Sequence, residues 1–152
     1  MIRLSRMADY AVLSMTYMAA RPTITHNAVD VAHATGLPVP TVAKLLAKLA
    51  RGGVLSSQSG ARGGYALDRH PRDISMADVI IAIDGTIALT HCVKSGPTLC
   101  EVEAACPSRG GLQRVNKVLN DALSAVSLDE LVGPAVTFPA PRQLETKQEL
   151  RP

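Results

Sequence analysis

The stretch "CVKSGPTLCEVEAACPSR" holds all three cysteines of a 152-residue chain, at positions 92, 100 and 106. The spacing is C-x7-C-x5-C. A disulfide framework uses an even number of cysteines and spreads its bridges, and the odd count fits a reducing compartment. A structural zinc site usually shows closely spaced C-x2-C pairs. Gly96 and Pro97 make the stretch a loop, and thiolates on such a loop can converge on one metal centre. Iron–sulfur clusters are held in this way, with other donors replacing some of the sulfurs. Three thiolates leave one position open for a histidine, a carboxylate or an exogenous ligand, and His91, beside Cys92, is the local candidate. Zinc held by three cysteines, redox-sensing thiols and three buried cysteines acting as small hydrophobes are the competing readings.

The elements that must position this loop can be read along the chain. Residues 5–20 are predicted to form a helix capped by Ser5 and stopped by Pro22. Residues 27–35 give a second helix, with Asn27 as cap and Gly36 as stop. Residues 40–51 give a third, with Pro40 at its first position. Val42, Leu45, Leu46 and Leu49 define its buried face. Thr41, Lys44, Lys48 and Arg51 share another face that is free of acids. A tight glycine-containing turn between two such helices is the form of a helix-turn-helix.

"GGVLSSQSGARGGYAL" follows as strand 54–58, turn 59–64 and strand 65–67, a hairpin in the position of a wing. Arg62 sits at its tip and Tyr65 on its return strand, where both can meet DNA. Ser75 caps a helix that runs to Ile83, with Asp78 three residues on in a near capping-box position, and Gly85 ends it. Residues 86–91 are a short extended piece leading into the cysteines. After them comes the longest helix, 108–126. Leu112, Val115, Leu119, Ala122 and Val126 form a heptad-like seam along it, with Val118 and Leu123 widening the stripe. A short capped helix in "SLDELVGP" completes the core.

The predicted organisation is a winged helix-turn-helix domain over residues 1–72, a cysteine loop and long helix over 73–132, and a disordered tail over 133–152, which is rich in Pro, Gln and charge. The fold class is mainly α. Hydrophobic residues make up 47% of the chain, aromatics only 3%, and tryptophan is absent, which suits helices packed through Ala, Val, Leu, Ile and Met. Residues 1–72 carry nine Lys/Arg against three Asp/Glu, whereas residues 73–152 carry seven against ten. One half therefore suits a polyanion and the other does not. Arg3 and Arg6 precede an apolar stretch, but Asp9 interrupts the signal-peptide pattern, and no apolar run is long enough to span a bilayer. The chain reads as a soluble cytoplasmic protein without a membrane partner. It carries no H-E-x-x-H, no G-x4-G-K-[ST] and no dinucleotide fingerprint, so an enzyme is not expected.

The segments "MIRLSRMADYAVLSM", "TGLPVPTVAKLLAKLARGGVL" and "GARGGYAL", followed by the three-cysteine loop and a long helix, occur in one order. Over about residues 1–132 this resembles the iron–sulfur-responsive winged helix-turn-helix transcription regulators typified by IscR and NsrR. "DGTIALTHC" and "CPSRGGLQRVN" are closest to the branch that regulates SUF cluster-assembly genes. The resemblance implies a homodimer joined through residues 108–126 that binds a double-stranded DNA operator. It also implies a cluster, [2Fe–2S] in preference to [4Fe–4S], held by Cys92, Cys100 and Cys106. IscR-like members use a histidine three residues after the last cysteine, where this chain has Arg109. NsrR-like members use an aspartate from the partner's first helix, which corresponds to Asp9. His33 lies where a related regulator places a histidine.

Overall fold

The computed structural model describes residues 3–60, 63–90, 93, 100 and 105–133. The expected disordered tail, Arg62, His91 and Cys92 lie outside the described residues.

Local capping sets most of the helix boundaries. Helix α1 (Arg6–Ala19) starts where the Ser5 hydroxyl accepts the Ala8 N–H at 3.0 Å. Its inner face is small in its first half, with Ala8 and Ala11 fully buried, and larger further along, at Met15 and Met18. Helix α2 (Ala28–Thr35) is capped by Asn27 and ends at Gly36, whose φ of 71° is the left-handed turn a side chain would resist. Three residues later α3 (Val39–Arg51) begins. Val42, Leu45, Leu46 and Leu49 are fully buried on its inner face.

Strands β1 (Leu55–Gln58) and β2 (Gly64–Leu67) pair antiparallel, with Leu55 opposite Leu67 and Gln58 opposite Gly64. A third extended piece joins them. His26 and Tyr65 exchange two backbone hydrogen bonds, each 2.8 Å, so the link between α1 and α2 covers the free edge of β2. The His26 ring is 2% exposed and meets Tyr17 edge-on at 5.6 Å. Its Nε2 donates to the Arg21 carbonyl at 3.1 Å, while the Arg21 guanidinium lies 5.0 Å over the Tyr17 ring. Desolvation by burial lowers the His26 pKa from 6.5, and the Arg21 carbonyl only partly offsets that. The wing is thus tied by backbone to the α1–α2 link, and the link by rings to α1.

A 3-10 turn (Pro71–Asp73) leads to α4 (Met76–Asp84). The expected capping box is present: the Ser75 hydroxyl accepts the Asp78 N–H, and the Asp78 carboxylate accepts the Ser75 N–H at 2.9 Å. The long helix α5 (Arg109–Ala125) follows the cysteine segment, and α6 (Leu128–Leu131), also started by a capping box, closes the described fold. Met76 N–H donates to the Val126 carbonyl, and Leu128 N–H to the Ile74 carbonyl. These bonds clip the start of α6 to the start of α4, and Leu128 is fully buried. One core therefore joins α1, α3, α4 and α6, drawing on residues from both sides of position 72.

Candidate functional site

The second helix of the helix-turn-helix is held at its C-terminal end and presented at its N-terminal end. Gly52, just after α3, lies against Ala82 of α4; a Cβ on Gly52 would come within 2.5 Å of the Ala82 Cβ. Lys48 Nζ donates to the Ile83 carbonyl at 3.0 Å, in the last turn of α4, where a cation also suits the helix dipole. Lys48 and Arg51 border a cleft of about 380 Å³ between α3 and α4, with Asp78 and Ile81 on its other side. α3 and α4 are therefore latched to one another.

This latch bears on the α3 face expected to meet DNA, that of Thr41, Lys44, Lys48 and Arg51. Thr41 and Lys48 are half-buried, and the Lys48 ammonium reaches α4. Beside Lys44 and Arg51, the outer stripe of α3 also carries Pro40, Ala43 and Ala47, with all but Ala47 exposed. The stripe is visible in the sequence as the i, i+3, i+4, i+7, i+11 spacing of Pro40, Ala43, Lys44, Ala47 and Arg51, although its alanines carry no charge to mark it. Tyr65 is half-buried against the core and has its backbone tied to His26.

The two ends of the cysteine segment can be followed to α5. Cys106 stands just before α5, and its carbonyl accepts the Arg109 N–H at 3.3 Å. The entry is held by asparagines that the sequence reading did not single out. Asn116 is 7% exposed; its Oδ1 accepts the Leu89 N–H at 2.9 Å and its Nδ2 donates to the Ile87 carbonyl at 3.2 Å. Asn120 also donates to the Ile87 carbonyl, at 3.3 Å. The two amides do for residues 87–89 what a neighbouring strand would do. Both ends of the segment that carries Cys92, Cys100 and Cys106 are thus fixed to α5. The signal for this was two asparagines at i and i+4 inside an otherwise apolar stripe.

The apolar seam of α5 is divided. Leu119 and Leu123 face α4 around a cavity of about 510 Å³, also lined by Leu4, Met76, Ile80 and Ile87. Val115 and Val118 point away and are 54% and 68% exposed. Leu119 is half-buried and lies on the inner stripe of the seam, beside that cavity.

Cys100 and Cys106 are free and half-exposed. Asp9 is exposed on the first turn of α1 and His33 on the last turn of α2. No three His, Cys, Asp or Glu side chains gather into a metal site among the described residues. The donors present are soft thiols on a segment pinned at both ends, and such donors suit an iron–sulfur or zinc centre.

A helix-turn-helix with a paired wing and a cation-bearing outer helix face defines the class: a winged-helix, DNA-binding transcription regulator rather than an enzyme. The sequence profile of the Rrf2 family, described as iron-dependent transcriptional regulator, matches residues 4–134. The chain belongs to that family. An rrf2-like HTH-type transcriptional regulator of Rhodobacter capsulatus is 30% identical over 120 residues, covering 76% of this chain and 79% of that one. Among solved structures, T. potens IscR superposes with a TM-score of 0.62 at 25% identity, covering 86% of each chain. CymR, the global cysteine regulator of B. subtilis, superposes with a TM-score of 0.67 at 22% identity, covering 87% of this chain and 97% of that one, a likeness of fold. Among the described residues no helix is long and apolar enough to cross a membrane.

Proposed function

We propose that this protein is a homodimeric regulator whose affinity for double-stranded DNA depends on an iron–sulfur centre held by Cys92, Cys100 and Cys106. The observation that carries the reading is the attachment of both ends of the cysteine segment to α5, while α5 packs on α4 and α4 is latched to α3. A centre bound there supplies an iron- and redox-sensitive cross-link among the three thiolates, [2Fe–2S] in preference to [4Fe–4S]. Asn116 and Asn120 transmit the reach of the segment to α5, and Lys48 and Gly52 transmit the position of α4 to the reading helix. This is the differential contact that coupling between two sites requires.

Asp9 supplies the fourth ligand from the partner subunit. Its carboxylate is exposed and, among the described residues, is not engaged by Arg6, so it is available to a second copy. Val115 and Val118, beside Gly111 and Arg114, form the face that the second α5 covers. SUF-type cluster-assembly genes are the proposed targets, on the resemblance of residues 84–92 and 106–116. DNA contact runs through Lys44, Arg51 and Arg62, with Thr41, Lys48 and Tyr65 at the margins.

Anaerobic purification tests the reading. The expected protein is brown, contains iron and sulfide, and loses its colour in Cys106→Ala. Asp9→Ala should keep the dimer but lose the centre faster. A colourless protein with stoichiometric zinc, or with neither metal, would replace the cluster by a zinc-stabilised or thiol-switched regulator.

A further inference from the structure

The reading helix has an unusual chemical make-up for a surface that must distinguish bases. Its C-terminal half is committed to α4 through Lys48 and Gly52. The part free to enter a major groove is the N-terminal half, which is the part that contacts base edges in helix-turn-helix proteins. There Val39 is 42% exposed, and Pro40, Ala43 and Lys44 are exposed. Val, Pro and Ala side chains exchange no hydrogen bonds. Lys44 has three donors and no acceptor.

The backbone adds little at this end. Pro38 and Pro40 have no N–H, and the N–H groups of Thr41 and Val42 both donate to the Pro38 carbonyl, at 3.0 and 3.1 Å. The helix start is therefore poor in the free donors that usually hold a phosphate.

Base recognition follows from what such a surface can and cannot do. Adenine is read by the paired donor and acceptor of Asn or Gln, and cytosine by an acceptor that takes its N4–H; Val39, Pro40, Ala43 and Lys44 offer neither, and the nearby Thr41 hydroxyl is half-buried at the edge of this face. A lysine donor pairs with guanine O6 and N7. The remaining feature of the major groove that an apolar surface can recognise is the 5-methyl group of thymine. We infer that α3 reads its operator through thymine methyl groups packed on Val39, Pro40 and Ala43, with one guanine addressed by Lys44. The inference rests on the DNA-binding reading above and assigns the sequence chemistry of that same site. Each methyl contact is worth about fourfold in affinity, from the burial of one carbon. The half-site should therefore be thymine-rich and tolerant, with small penalties at several positions.

The test uses the full-length protein and a library of random-sequence duplexes. The selected site is resynthesised with deoxyuridine, which is thymine without its methyl, at one position at a time. Each guanine is likewise replaced by 7-deazaguanine. The expected result is a loss of about fourfold at two or more thymines per half-site, with one guanine sensitive to loss of N7. Ala43→Gly, confirmed as folded by circular dichroism, should remove the uracil penalty at one thymine and leave the others. Specific binding that is indifferent to uracil at every position, or a selected half-site without thymine, overturns the inference while leaving the DNA-binding reading intact. Absence of binding to any duplex at low salt overturns both.

Discussion

The reading half of the molecule and the cysteine-bearing half are held together by different physics. Residues of α1, α3 and α4 bury a continuous apolar core in which Met15, Leu45, Leu46 and Val79 are fully inaccessible. In α5 the single buried residue among those described is a polar one, Asn116, and Val115 and Val118 face outward. The first half is fixed by many small apolar contacts, and no one of them sets the geometry. The second adds, to the packing of Leu123 and Leu128 on that core, a few directional hydrogen bonds at the neck of the cysteine segment. In the proposed function, a change in that segment shifts α5 without melting the body, and the body latched at Lys48 and Gly52 carries the shift as a unit.

The largest effect expected from breaking this contrast lies in the core. Leu46→Ala should destabilise the fold by about 2–5 kcal/mol, measured by denaturant unfolding, because the cavity cannot collapse around a fully buried site. Val118→Ala should change monomer stability by less than about 0.5 kcal/mol, since it touches solvent.

Next in size is the neck. Asn116→Ala removes a buried amide and leaves the Leu89 N–H and one bond to the Ile87 carbonyl unmade, a cost of about 1–3 kcal/mol. Hydrogen exchange should show faster exchange at Leu89 with α1 and α3 protection unchanged. Equal acceleration everywhere would mean the two halves are one cooperative unit.

The latch is smaller. Lys48→Met keeps the apolar stem and deletes one hydrogen bond to Ile83, for about 1 kcal/mol. It should blunt the response of DNA affinity to the cysteine segment more than it lowers the melting temperature.

The smallest effect is one of pH. Burial holds His26 neutral, with its pKa below 6.5. The unfolded chain takes up a proton as the pH falls through about 6.5, and the folded chain resists it, so stability present above that pH is lost below it. The melting temperature should fall from pH 7.5 to pH 5.5 by more in the wild type than in His26→Phe. An identical fall in both would remove His26 from the balance.

The same contrast explains what could be read from the sequence. Ser5, Asn27, Gly36 and Ser75 are strong local signals, and each expected boundary beside them lies within a residue of the observed one. The β1–β2 hairpin was legible from its glycines. The third extended piece was not, because a single bridging residue, His26, is too short to show an alternating pattern. In sequence Lys48 reads as one cation of a DNA-facing stripe, since only the tertiary approach of α4 brings the Ile83 carbonyl to it. The seam on α5 was visible, but periodicity cannot say which neighbour an apolar stripe faces: Leu119 turns inward and Val118 outward. Asn116 broke the apolar pattern, and its meaning depended on residues 87–89, which are distant in sequence. The cysteine spacing pointed to a metal centre, and a single chain cannot complete that argument when the proposed fourth donor, Asp9, is given to a second copy.

The central claim is that the state of the cysteine segment sets the affinity of the reading head through α5. The direct measurement is the equilibrium affinity of the anaerobically purified protein for its selected duplex, before and after iron is removed with a chelator, at fixed salt. Wild type should change by about 5- to 150-fold, the usual span of coupling between two sites, and Asn116→Ala should lose most of that change while still binding DNA. An iron-containing wild type with the same affinity before and after chelation would contradict the account.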